Sequence, residues 1–208
     1  RIESRDASCV VLPTNQPIHP DRNQGELMRE TNQEQPFHPL YNYALITDRE
    51  EGLILVDVNT LSDGEPRNNV LKRAVTWNDN GILAGARHLA LGGYYAYVIA
   101  DAGLVVLNLD QPLAPRLETV VPLNGGHSAA LQFRYLFVTD ADGLKVVDVT
   151  RPAQATLVKD SLIPLRQARR LHLARTYAYV AAGSDGVAIV DIETPTKMRL
   201  LEKFSDGM

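Results

Sequence analysis

The residues of this 208-residue chain that could most readily do chemistry are carboxylates gathered beside glycines. Asp48 with Glu50 and Glu51 precedes Gly52, Asp101 precedes Gly103, Asp140 with Asp142 precedes Gly143, and Asp185 precedes Gly186. Paired carboxylates next to a glycine are one way to begin a calcium loop. That loop, however, needs further oxygen ligands and a glutamate at its twelfth position. Counted from Asp140, the twelfth position is Arg151, a cation. The acids are therefore read as turn formers, whose side chains accept hydrogen bonds from nearby backbone amides. A second acidic set, Asp57, Asp148 and Asp191 with Asn108 in the corresponding place, falls once in each of four segments. A catalytic group is needed once, so recurrence marks a structural part that caps the amides just downstream.

Nucleophilic, metal and phosphate chemistries lack their signatures. The five histidines, His19, His38, His88, His127 and His172, include no pair four apart, and Cys9 is the only cysteine. Neither a CxxC knuckle nor a CxxCH haem attachment is therefore present. One of His19 and His38 could serve as an axial haem ligand only if their segment packed on a cytochrome. No Gly-x-Ser-x-Gly elbow or GxxxxGK loop occurs. No catalytic residue, metal ligand or cofactor is assigned.

The remaining chemical group is basic. Counting back from Tyr95, Tyr135 and Tyr177, Arg87 and His88 align with His127 and Ser128 and with Arg169 and Arg170. If these positions converge, Arg87, His88, His127, Arg169 and Arg170 form a surface for an anionic group or an acidic partner segment. Binding there should weaken with salt and tighten as both histidines protonate below about pH 6.5.

What must position them is a fourfold repeat. Aromatic-rich strands open at Tyr41, Tyr94, Tyr135 and Tyr177. Each runs into an acidic turn ending at Gly52, Gly103, Gly143 or Gly186, and then into an apolar strand ending in Asp or Asn. A period near 40 built from short strands is that of propeller blades. In the second copy the strands fall at 87–91, 95–100, 104–109 and 117–121. Gly92-Gly93 makes the first turn, and Pro112 and Pro115 break the ladder before the last strand. The third strands, such as Leu53-Ile54-Leu55-Val56 and Leu104-Val105-Val106-Leu107, are apolar at consecutive positions, as in a sheet covered on both faces. Stacked blades supply that cover. The expected fold is all-β, a β-propeller of about four visible blades of four antiparallel strands, within a ring that further blades would enlarge. Residues 37–208 form the propeller. Residues 1–36, rich in Pro, Asn, Gln and Glu, form an extended arm, with one helical turn around Gln24 to Glu30. The first copy has no evident first strand, so either the arm strand Cys9 to Leu12 or blades from elsewhere complete the structure. Val147→Asp should be costly at a buried position, and Lys145→Asp milder.

These motifs carry a resemblance. Gly143-Leu144-Lys145-Val146-Val147-Asp148-Val149 with Pro152, and Gly186-Val187-Ala188-Ile189-Val190-Asp191-Ile192 with Pro195, resemble the LVIVD repeat. Asn108 replaces the Asp in the second copy, and the first lacks the Pro after Val58. The resemblance covers residues 37–204. It implies a β-propeller module of larger bacterial or archaeal proteins, often exported or surface-attached, with no uniform activity.

Bulk properties narrow the class. The net charge of −4 excludes a general nucleic-acid binder, and no apolar run approaches the 18 residues of a membrane-spanning helix. The expected function is a non-enzymatic scaffold or binding module, engaging a protein partner or adjoining domains of the same polypeptide in an extracellular, cell-surface or periplasmic assembly. The alternative is an accessory domain of an enzyme or multihaem electron-transfer protein whose active group lies outside this segment.

Overall fold

A computed structural model describes residues 2–14, 38–61 and 64–205. The helical turn expected near Gln24 and the position of His19 lie outside the described residues. Four sheets follow one another along the chain, and no α-helix occurs among the described residues. The first sheet contains β1 (Ala7–Val11), β2 (Tyr43–Asp48), β3 (Gly52–Asp57) and β4 (Lys72–Trp77) in that spatial order. The second contains β5 (His88–Gly92), β6 (Tyr95–Ala100), β7 (Gly103–Asn108) and β8 (Arg116–Val121). The third is built from β9 (Ser128–Gln132), β10 (Tyr135–Thr139) and β11 (Gly143–Asp148). Its outer edge is split into two short pieces, β12 (Thr156–Leu157) and β13 (Ile163–Pro164), both paired with β11. The fourth contains β14 (Leu171–Ala174), β15 (Tyr177–Ala181), β16 (Val187–Asp191) and β17 (Arg199–Phe204). All pairings are antiparallel, and short hairpin connections join the first, second and third strands of blades two to four and the second and third strands of blade one.

The all-β, four-blade architecture expected from the repeat is what the chain forms. Its blades make an arc that does not close on itself. The inner strands meet in the order β1, β5, β9, β14. The first blade obtains its inner strand from the N-terminal segment: Val11, Val10 and Cys9 pair with Leu45, Ile46 and Thr47 of β2. Ser8 ties this strand to the second blade, its hydroxyl donating to the carbonyl oxygen of Ala86 at 2.8 Å.

The turn glycines recur for a steric reason. Gly103, Gly143 and Gly186 have φ of +117°, +144° and +73°. At these three, a Cβ would collide with the carbonyl oxygens of Val121, Ile163 and Phe204 on the neighbouring outer strands. Only glycine permits both the backbone angle and that approach.

Three apolar layers cement the arc, one between each pair of adjacent blades. Leu45, Leu53 and Leu55 of blade one meet Leu89, Val98 and Val105 of blade two. Tyr97, Leu104 and Val106 meet Leu136, Val138 and Val147 of blade three. Phe137, Leu144 and Val146 meet Ala178, Val180 and Val190 of blade four. Each middle blade thus buries both faces, which is why β7 is buried along its whole length and reads as an unbroken apolar run.

Candidate functional site: a basic cavity at the inner strands

The inner strands of blades two to four begin at one end of the arc, and the residues that lead into them gather there. Arg87, His127, Arg169 and Arg170, together with Arg49, line one cavity of about 160 Å³. Four of the five residues expected from the sequence share this space. The fifth, His88, stands next to it as the first residue of β5, with Ser128 Oγ 3.5 Å from its Nε2 and the Ala129 amide donating to its Nδ1 at 3.2 Å.

Arg49 is the residue the sequence reading missed. It comes from the β2–β3 turn of blade one, which is longer than its counterparts: Asp48 and Gly52 are separated by three residues, Asp101 and Gly103 by one. The backbone fixes the turn against blade two, since the Gly85 amide donates to the Arg49 carbonyl oxygen at 2.8 Å. An insertion carrying a lone cation beside the repeat's acidic turn was the available signal.

The five basic groups differ in how far they are neutralised. Arg49 pairs with Asp6 at 2.8 Å, both half-exposed. Arg87 pairs with Asp101 and also donates from Nε to the Gly85 carbonyl oxygen at 2.9 Å. Arg169 and Arg170 are exposed, and among the described residues neither has a carboxylate within ion-pairing distance. Arg169 is anchored through its backbone instead: its amide donates to Ala181 and its carbonyl accepts from Thr139 Oγ1 at 2.5 Å. Its guanidinium lies 3.4 Å from Nε2 of His127, a contact that requires the imidazole to accept. Burial, then the charges of Arg169 and Arg87, lowers the His127 pKa, partly opposed by Asp140.

One expectation is corrected here. Protonation of both histidines near pH 6.5 was to strengthen the positive focus. Burial, then the charge of Arg170, pushes His88 down to about 4, so it stays neutral through the mildly acid range. His88 accepts at Nδ1 as a neutral ring, burial and the neighbouring arginines draw His127 in the same direction, and the lasting positive charge resides on the arginines.

The other candidates resolve as structure. Asp57, Asn108, Asp148 and Asp191 each accept from the backbone amide two residues on, at 2.9, 2.9, 2.8 and 3.0 Å. Between Asp140 and Asp142 sits the ammonium of Lys145, 2.7 and 2.6 Å from the two carboxylates, filling the place a divalent cation would need. Lys145→Asp would therefore put a third carboxylate beside a buried one, so it is not the mild control the strand pattern suggested. Asp48 is wholly buried. Burial opposes its ionisation, but hydrogen bonds from Ser4, Glu51, Asp6 and Glu50 outweigh this and hold its pKa at about 2. His38 is buried with Nδ1 accepting from the Leu40 amide and Nε2 3.3 Å from Asp110 Oδ1, so neither nitrogen faces outward as a haem ligand would. No group of three or more metal-binding side chains occurs among the described residues.

The repeat at the base of this geometry has a family. The LVIVD repeat model matches residues 41–65, 85–118, 130–161 and 166–206, together more than half of the chain. The chain belongs to the LVIVD repeat family. Its four matched stretches fall on the four blades. Among curated proteins none matches the chain significantly by sequence. Solved structures similar to it include PorZ of Porphyromonas gingivalis, a surface component of the type-IX secretion system. That likeness has a TM-score of 0.47 at 15% identity and covers 80% of this chain and 20% of PorZ. Another is a functionally unknown protein from Desulfotomaculum acetoxidans, with a TM-score of 0.46 at 9% identity, covering 81% of this chain and 68% of that one. The chain thus spans about a fifth of the length of PorZ. No helix among the described residues is long and apolar enough to cross a membrane.

Proposed function

We propose that this LVIVD-repeat propeller is a non-enzymatic interaction module whose basic cavity holds an acidic segment of a protein partner. The observation that carries this reading is the pair of unneutralised arginines, Arg169 and Arg170, joined by Arg49 and Arg87 around one cavity in a chain of net charge −4. A positive focus on a negative body attracts carboxylates and steers them to one place. Guanidinium forks then grip them in a planar, bidentate geometry. The cavity, at about 160 Å³, is too small for a drug-sized substrate and suits one or two side-chain carboxylates. An exported or surface setting, implied by the family resemblance, belongs to the same reading.

The test is binding of a fluorescent hexaglutamate peptide, with hexalysine as control. Hexaglutamate should bind and weaken steeply between low and physiological salt, while hexalysine should not bind. Equal binding of both peptides, or affinity indifferent to salt, contradicts the reading. Tight binding of free phosphate with no binding of hexaglutamate would make the cavity a small-anion site instead.

A further inference from the structure

The three inter-blade layers share one chemistry. On the side facing the next blade, each sheet presents apolar side chains from alternate positions of its second and third strands: Leu45, Leu53 and Leu55 in blade one, Tyr97, Leu104 and Val106 in blade two, Phe137, Leu144 and Val146 in blade three. All nine are at most 2% exposed. The next blade covers them with its opposite side: Ala96, Val98 and Leu107 in blade two, Leu136, Val138 and Val147 in blade three, and Ala178, Val180 and Ala188 in blade four.

Blade four repeats this outward-facing apolar side, and among the described residues nothing covers it. In register with Phe137, Leu144 and Val146 stand Tyr179, Val187 and Ile189. Tyr179 is 36% exposed, Val187 39%, and Phe204, paired with Val187 on β17, is 63% exposed. Along β15, exposed and buried residues alternate strictly. The opposite end of the arc is different. The side of blade one that matches the covering sides of the later blades, Ala44, Ile54 and Val56, is no more than 9% exposed, with Ile2, Val58 and Leu71 packed against it.

We infer that the open side of blade four, centred on Tyr179, Val187 and Phe204, is a docking surface for one further blade of this same repeat, which lays on it the Ala-, Val- and Leu-bearing side that covers the three layers within the chain. This deepens the scaffold reading above, on which it rests, by naming the chemistry of one neighbour. Three covered examples within the chain specify the occupant, and continuity with those layers fixes its orientation. A head-to-tail second copy fits less well, because its blade one would have to shed the cover already on its matching side.

The inference is tested by thiol labelling. In the full chain with Cys9→Ser, Val187→Cys reports on the open side. Its labelling rate is compared with that in the same chain carrying a second copy of residues 166–205 joined after Ser205. The appended blade should slow labelling by about tenfold or more. Protection should vanish when the appended copy carries the equivalents of Ala178→Asp and Val180→Asp. Equal labelling with the intact appended copy overturns the inference, and so does an appended blade that remains protease-labile. It is also overturned if the 208-residue chain proves to be a dimer in which Val187→Cys is already protected, since a second copy is then the occupant. Hexaglutamate binding at the arginine cavity is unaffected by any of these results, so failure here is separable from failure of the scaffold reading.

Discussion

His88 ties stability to pH beside the arginine cavity. Its pKa in the folded chain is about 4 against an ordinary 6.5, so the fold favours the neutral ring. Its contribution to stability is complete above pH 6.5 and is lost as pH falls from 6.5 toward 4. After discounting for partial exposure, the effect is on the order of 1–2 kcal/mol. His88→Asn, which keeps an acceptor for the Ala129 amide, should flatten the pH dependence of the melting temperature in that window. An unchanged slope would show that His88 is not its source. Asp48 acts at lower pH: with its pKa held at about 2, its contribution is present above about pH 4 and lost only as pH falls toward 2. At this scale the recurring acids were legible, because a residue repeated once per blade declares a structural task and Asx capping is local. The state of His88 was not. Its lowered pKa comes from burial and from Arg170, two blades away in sequence, and neither is written in its neighbours.

Elements carry the next set of consequences. Phe133, the first residue of the β9–β10 turn, has φ of +54° and is 92% exposed, where blade two places Gly93 at +58°. A bulky side chain in the left-handed region is strained. Phe133→Gly should stabilise the chain by about 0.5–1 kcal/mol in thermal or denaturant unfolding, and a loss would mean that Phe133 makes contacts that outweigh the strain. Within blade three, Val147 is fully buried and its cross-strand partner Leu157 is 39% exposed. Val147→Asp should cost about 3–5 kcal/mol and Leu157→Asp well under half of that. Equal losses would refute the layered packing. Removal of residues 1–12 strips β1 from β2 and cuts the Ser8 tie to blade two. The melting temperature should fall by on the order of 10 °C, and an unchanged melt would deny the strand a structural role. The second and third strands of each blade were readable because aromatic, β-branched and glycine signals coincide there. Strand β1 was ambiguous for a physical reason: no hairpin turn links it to β2, and the pairing is made across some 30 intervening residues that carry no strand period. The split outer edge of blade three was also hidden, since the residues between β12 and β13, with Asp160 at φ +58°, carry no turn signature that announces a break.

For the molecule as a whole, the repeat explains nearly every recognisable residue as a part of blade, turn or layer, and what it leaves over is charge. The basic cavity exists because inner strands from three blades begin at the same end of the arc and a longer turn in blade one adds Arg49. No single blade contains it, which is why alignment of the copies could find the inner-strand residues and miss the turn. The central claim is that this convergence, and not basic charge in general, recruits an acidic segment. The most direct measurement is the dissociation constant of the hexaglutamate peptide for two double variants of equal charge change. One is Arg169→Gln with Arg170→Gln at the cavity; the other is Lys197→Gln with Arg199→Gln near the outer edge of blade four. The cavity pair should weaken binding by about tenfold or more, while the outer pair should change it by less than about twofold. Equal weakening by both pairs, with melting temperatures unchanged, would contradict the claim.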